Sequence, residues 1–323
     1  MGLLNLIRTQ PEDAMIVADF ADFCLVTYTL VDDLWDALPA ALKPRGEQSD
    51  CSNSELLTMV LVEECMGWDE ETEAISQWQQ HRGLFPHVPD RTRFNRRRRA
   101  LTDALLWMRQ RVLALLDYAQ DRYLVIDSLP VPVIGFHLVP GAASARDWRN
   151  AGADYGRVTT KKQTGALWAA FGYKLHLLVT LTGVIRNFSL AAASEHDIMI
   201  APELLGEEWD RIVLGDKGYI SAPLAQALQE ERQVTLITPP RSNQRTQRDP
   251  AFARLLNGMR QVIETVNDQL EDQFRIGKNH AHTFGGLCAR LASKLTAHTL
   301  CIYINRLLGK ADALQIKHLV FPN

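Results

Sequence analysis

The spacing of apolar residues changes once along the chain, near Asp121, and that change limits what each half can fold into. Before it, apolar positions recur at three- and four-residue intervals, as in Phe20, Phe23 and Val26 and again from Leu101 to Leu116. Ser52-x-x-Glu55 is a capping box that opens the run Leu56 to Val62, and Pro39, Pro44, Gly83, Pro86 and Pro89 punctuate the series. Residues 1–120 are therefore expected to form an all-helical domain. After Asp121 the runs are short and continuous or alternating: Tyr123 to Ile126, Phe171 to Thr180, Val184 to Ala191, Arg211 to Leu214 and Val234 to Ile237. Helical stretches at Ala201 to Leu205 and Ser221 to Glu231 separate the last of them. This order predicts an α/β fold, with a mixed five-stranded sheet covered by helices. A polar loop from Pro239 to Pro250, a helix from Ala251 to Phe274 and a last apolar helix from Leu287 to Leu308 complete a second domain, 121–323.

With 323 residues, 46% of them apolar, the chain can bury two compact cores. No apolar run approaches the ~18 residues of a membrane span, and the first ten residues lack the layout of a secretory signal, so a cytoplasmic protein with no membrane partner is expected. Cys24, Cys51, Cys65, Cys288 and Cys301 are widely spread and contain no C-x-x-C, which supports neither a disulfide framework nor a cysteine zinc site.

The net charge of −3 conceals two opposite parts. Residues 1–81 hold 16 Asp and Glu against 3 Lys and Arg, whereas the remaining 242 hold 22 against 32. Such asymmetry points to a polyanion partner for the basic part, or to two differently charged solvated faces. Its densest element is Arg91, Arg93, Arg96, Arg97, Arg98 and Arg99, interleaved with Phe94 and free of acids, suited to tracking DNA phosphates or to forming a solvated basic helix. Arg241, Arg245 and Arg248 add charge before the long helix, Lys161 and Lys162 between the early strands, and six Lys and Arg occur from Arg275 to Lys310 without an acid.

Asp127 and Asp216 each follow an apolar strand segment. Ligands gather at the carboxyl ends of strands in open α/β sheets, so two such aspartates point to one place. A third carboxylate comes from the long helix: Ile263, Val266, Leu270 and Phe274 mark its buried face, and Glu264 lies at the edge of that face. Asp268 and Glu271 share the side of Glu264, so the third ligand has three candidates. Arg260, one turn earlier, either anchors a phosphate, orients Glu264 or forms a surface ion pair. Three carboxylates without cysteine or clustered histidine suit Mg²⁺ or Mn²⁺, and a pair of such ions does phosphoryl transfer. His196-Asp197 is either a helix start or a rim element of the site. Lys174 in a central strand needs a carboxylate partner, because an unpaired buried ammonium is costly. Trp35, Trp68, Trp78 and Trp107 are expected in the helical core.

Asp127-Ser128-Leu129-Pro130, Phe171-Gly172-Tyr173-Lys174-Leu175-His176, Ser194-Glu195-His196-Asp197, Gly215-Asp216-Lys217-Gly218-Tyr219 and Arg260-Gln261-Val262-Ile263-Glu264-Thr265 occur in that order. Together they resemble bacterial insertion-sequence transposases, and the chain is similar to the insertion-sequence 982 family of the ribonuclease-H-like DDE superfamily. The resemblance implies a catalytic and metal-binding triad of Asp127, Asp216 and Glu264 with two Mg²⁺ or Mn²⁺ ions, and Lys217 and Arg260 as supporting DNA contacts. It implies double-stranded DNA as partner, binding of terminal inverted repeats, hydrolysis and strand transfer, and a homodimer or larger synaptic assembly. The acidic N-terminal segment would then meet a basic surface of the second subunit. Related families carry Tyr and Lys where Asn257 and Glu271 stand here, so no DNA contact is assigned to those two positions. Two rivals remain: an inactive DNA-binding repressor, and a phosphatase of the haloacid-dehalogenase kind, whose motif needs an aspartate where Leu129 stands.

Overall fold

A computed structural model describes residues 17–45, 49–116, 121–141, 144–159, 167–240 and 250–320. In chain order the elements are α1 (Phe20–Asp36), α2 (Asn53–Met66), α3 (Glu71–Gln80), α4 (Arg91–Ala100), α5 (Thr102–Leu115), β1 (Tyr123–Ile134), α6 (Ala145–Asn150), β2 (Asp154–Thr159) and β3 (Leu167–Thr180). There follow β4 (Ile185–Ala192), α7 (Asp197–Leu204), β5 (Ile212–Leu214), α8 (Ala222–Arg232), β6 (Thr235–Ile237), α9 (Pro250–Asp272), α10 (Phe284–Leu307) and α11 (Lys317–Val320). Two compact units result, one of Met1–Asp117 with Leu270–Asn323 and one of Tyr118–Gln269. No helix among the described residues is long and apolar enough to cross a membrane.

The helical unit begins its helices on side-chain caps. Asp19, Ser52, Asp90 and Thr283 each accept an amide of the first turn, and Ser52 with Glu55 forms the expected reciprocal box. Such caps satisfy donors that the helix itself cannot. The two most buried helices are α2 and α10, which pack on each other, with α1 also on α2 and α5 also on α10. Trp78 is fully buried, edge-on to Trp68 and Phe85 with ring centroids 5.4 and 5.1 Å away. Trp35 and Trp107 are only half-buried, under the cations of Lys43 and Arg111.

Charge is also buried here. Glu63 and Glu64 of α2 are 2% and 3% exposed, and Arg98 of α4 reaches both, its Nη1 lying 2.7 Å from Glu63. Lys294 of α10 pairs with Glu64 and donates to the Phe274 carbonyl at 2.6 Å. Arg290 pairs with Glu71 and Arg275 with Asp69, each at 2.7 Å. These bonds explain two departures from expectation. The last long helix, assigned by sequence to the α/β half, is grouped with the helical unit because its apolar circumference and its cations match α2 and its neighbours. The acids expected to meet a second subunit are partly neutralised within the chain, and Arg275, Arg290 and Lys294 serve as their partners rather than as an open basic stripe.

The α/β unit holds a six-stranded mixed sheet, one strand more than expected. β3 pairs antiparallel with β1 along one edge. Its other edge takes β2 and β4 in succession, β2 against Leu167–Gly172 and β4 against Tyr173–Val179. β2 escapes the pattern because Asp154-Tyr155-Gly156 has no run of apolar residues. Beyond β1, β5 and β6 add parallel strands, giving the order β2-β3-β1-β5-β6. β1 also runs further than expected, through Pro130 and Pro132. β5 reaches only as far as Val125, so that edge of β1 carries no strand where the prolines lack an N–H. Leu124, Ile126, Leu178 and Val213 of the sheet meet Ala201, Leu204 and Leu205 of the α7 segment and Leu228 of α8 in a buried layer.

Candidate active site

The parallel register of β1 and β5 ends at Val125 opposite Leu214. Two residues further along each chain stand Asp127 and Asp216, so the register alone sets the two carboxylates level where β5 stops. Asp127 is therefore not at the end of its strand, as expected, but where its neighbour ends. Each is oriented by backbone: Ser128 N–H donates to Asp127 Oδ1 at 2.9 Å, and Gly218 N–H to Asp216 Oδ1 at 2.7 Å. The second bond makes Asp216 the cap of a single 3-10 turn, Lys217–Tyr219.

Helix α9 supplies the third side. Asn267 donates through Nδ2 to Asp127 Oδ2 at 3.1 Å. Arg260 lies close enough that its charge favours ionisation of both aspartates. Glu264 is half-buried and lies between these two, at four and three residues, on one stripe of the helix. This helix thus brings Asn267 to Asp127 and the Arg260 charge to both aspartates. The buried side of α9 is the expected one, with Ile263 and Val266 at 2% and 0% exposure.

Asp197 and Lys174 join the same neighbourhood. Lys174 Nζ lies 2.6 Å from Asp197 Oδ1 and also bonds the Glu195 carbonyl, while Ser128 Oγ donates to Asp197 Oδ1 at 3.3 Å. Asp197 is therefore both the first residue of α7 and a member of the acidic cluster, and Lys174 has the carboxylate its position demands. A Cβ at Gly218 would lie 2.7 Å from Asp197 Oδ2 and 3.0 Å from Asp216 Oδ1. A methyl there would have to push one of these two carboxylates aside. Gly218→Ala is expected to destabilise the protein by about 1–3 kcal/mol, read by urea unfolding, because one carboxylate must leave its partner to admit the methyl. Unchanged stability would show that the turn yields freely.

Burial pushes the Asp127 carboxyl up to about 6 against the pull of the Ser128 amide, and repulsion from Asp216 adds to the rise. Burial raises Asp216 as well, with Asp197 contributing. Behind them, fully buried His176 faces the Tyr219 hydroxyl at 3.4 Å through Nδ1, and burial holds the imidazole down to about 4, hence neutral. The same burial raises the Tyr219 phenol. Mutually repelling carboxylates with raised proton affinity form an oxygen-only donor set, which fits a hard divalent cation in chemistry. Among the described residues, however, no three His, Cys, Asp or Glu side chains are gathered into a group able to hold a metal ion. The structure brings Asp127 and Asp216 together and gives Asp127 an amide partner from Asn267, rather than a closed triad of acids.

The predicted DNA-binding residues divide. Arg91, Arg93, Arg96 and Arg99 are exposed on α4. Arg97 is half-buried and donates to Asn53 at 2.7 Å. Arg98 is 3% exposed and held by Glu63 and Glu64, so it cannot lie along an open duplex and leaves that set. Lys217 is exposed beside Asp216. Arg241, Arg245 and Arg248, with Lys161 and Lys162, lie outside the described residues. An uncharged amide such as Asn267 does not stand out in the sequence as a carboxylate does; its spacing of seven from Arg260 is the available signal.

Residues 153–283 match the family model of the transposase DDE domain. The match supports a DDE transposase. The matched segment is less than half of the chain; it contains Asp197, Asp216, Glu264 and Asn267, and begins after Asp127. No curated protein and no solved structure matches the chain.

Proposed function

We propose that this protein is a DNA transposase of a bacterial insertion sequence, similar to the insertion-sequence 982 family, acting in the cytoplasm on the ends of its element. The observation that carries the proposal is the β1–β5 register, which sets Asp127 beside Asp216, with Asn267 and Arg260 of α9 next to them. The strand order β4-β3-β1-β5-β6, antiparallel in its first three members and parallel in its last two, supports a ribonuclease-H-like fold.

Asp127, Asp216 and Glu264 would hold the divalent ions, which supply charge to activate a nucleophilic oxygen and to stabilise a leaving one. The chain's own groups prepare for this. Ser128 and Asn267 fix the two oxygens of Asp127, Gly218 fixes Asp216, and Lys174 holds Asp197 on the far side of Gly218. Arg260 offers a guanidinium to a phosphate near both aspartates. The exposed arginines of α4 bind duplex DNA, and two copies of the chain hold two element ends. A phosphatase of the haloacid-dehalogenase kind is disfavoured by Leu129, 2% exposed, in place of its second aspartate.

The test is strand cleavage of a duplex carrying the DNA that flanks the reading frame, with Mg²⁺ or Mn²⁺ and without either. Metal-dependent nicks at inverted repeats are expected. Tight, sequence-specific binding with no cleavage under any metal would replace the enzyme with a repressor.

A further inference from the structure

One ion pair stands against the two aspartates without belonging to either. Lys174 Nζ of β3 lies 2.6 Å from Asp197 Oδ1 at the start of α7, and it also bonds the Glu195 carbonyl. The same Asp197 oxygen accepts from Ser128 Oγ at 3.3 Å, and the Ser128 amide is the one that holds Asp127. The other oxygen of Asp197 faces Gly218. It and Asp216 Oδ1 lie 2.7 and 3.0 Å from the place that a Cβ on this glycine would take, and the Gly218 amide is the one that holds Asp216. Asp197 therefore abuts both residues whose amides orient the aspartates. The side chains of Lys174 and Asp197 are 19% and 21% exposed, so the pair borders solvent rather than lying in the core. The charge of Asp197 is felt at Asp127 and at Asp216, and that of Lys174 opposes it at Asp216.

We infer that the Lys174–Asp197 pair sets how tightly the Asp127–Asp216 site takes a divalent cation, Asp197 adding attraction and Lys174 restraining it. The inference rests on the metal reading of the two aspartates given above and gives two further residues a part in it, neither of them as a ligand. The signs follow from Coulomb's law. A cation held by the two aspartates meets the net charge around it, and screening by salt is weak between groups that are partly withdrawn from water. Without Lys174, Asp197 would bring a third unneutralised acid against Asp127 and Asp216, and such crowding is costly until a cation relieves it. Lys174 makes the third acid tolerable in the metal-free protein, at the expense of some attraction for the metal. A bridge whose only task was to fasten α7 to β3 would respond alike to the loss of either of its charges.

Asp197→Asn and Lys174→Gln test this, since each removes one charge while keeping an acceptor or a donor in its place. The full chain, without DNA, is titrated with Mn²⁺ and followed by calorimetry and by thermal unfolding, with Asp127→Asn giving the background from other sites. Asp197→Asn is expected to weaken Mn²⁺ binding by on the order of tenfold, and Lys174→Gln to tighten it by a similar factor. The double variant should return close to wild type. Weakening by both single variants, or no change in either, would overturn the inference while leaving the metal reading in place. Melting without metal shows whether each variant is folded. If Asp197→Asn is not, the Lys174→Gln result decides alone, because tighter binding requires an intact site. Mn²⁺ binding by wild type no stronger than by Asp127→Asn would overturn the metal reading, and the inference with it.

Discussion

Asp127→Asn is expected to abolish metal-dependent strand cleavage, by on the order of 10³-fold or more, while making the metal-free protein more stable at neutral pH. Both effects come from one feature. The carboxyl titrates near 3.8 in an unfolded chain and is pushed up to about 6 here, chiefly by burial and further by Asp216. A carboxyl raised on folding contributes its stability while protonated, fully below pH 4, and loses it as pH rises through about 6. At pH 7.5 the folded protein therefore carries an ionised, half-buried Asp127 beside Asp216 at a cost of roughly 1–3 kcal/mol, allowing for partial exposure to solvent. An amide removes the charge at nearly constant volume. The melting temperature of the variant should exceed that of wild type at pH 7.5 by a few degrees and match it near pH 4, and Mg²⁺ should stabilise wild type but not the variant. A variant less stable than wild type at pH 7.5, or one that still cleaves, would remove Asp127 from the centre of the mechanism. Asp216, also raised by burial, is expected to behave in the same direction.

This balance of stability against activity was only partly visible in the sequence. Two aspartates after apolar runs are legible as candidates, and the change from helical to alternating spacing marks where the sheet begins. Their alignment depends on the parallel pairing of two short segments, Tyr123–Val125 and Ile212–Leu214, which are far apart in the chain. Periodicity shows that each is a strand but not which residues stand opposite. The same limit hid β2, which is held by a long partner strand rather than by its own apolar residues. Prolines mislead at β1, because they end a strand only where a neighbour needs their N–H, and neighbours are a tertiary fact. Lys174 was legible in a different way. Its cost in a sheet demanded an acid, and the acid proves to be Asp197. For Arg98 the opposite held: six arginines in nine residues look alike in a sequence, and only the packing of α4 on α2 separates the one that is inside.

That separation gives the sharpest contrast within the helical unit. Arg98→Ala is expected to cost about 3–5 kcal/mol, because it removes the guanidinium between two carboxylates that remain buried. Arg99→Ala, one residue later and exposed, is expected to change stability by less than about 0.5 kcal/mol while weakening duplex binding. A loss of 3–5 kcal/mol is a large share of the ~5–15 kcal/mol by which a domain is stable, so Arg98→Ala should be partly unfolded at ambient temperature. The pH dependence identifies the cause. Burial already pushes Glu63 up to about 7 even with Arg98 in place, whereas Lys294 helps hold Glu64 below the usual range against its burial. Without Arg98 the Glu63 carboxyl rises further, and a raised carboxyl contributes stability that is lost as pH increases. The deficit of Arg98→Ala relative to wild type should therefore be larger at pH 8 than at pH 6, and Glu63→Gln in the same chain should recover much of it at pH 8. Urea unfolding of the three proteins at both pH values measures this. Equal stability of Arg98→Ala and wild type, with loss of DNA affinity alone, would return Arg98 to the duplex-facing set and leave the buried glutamates without an explanation.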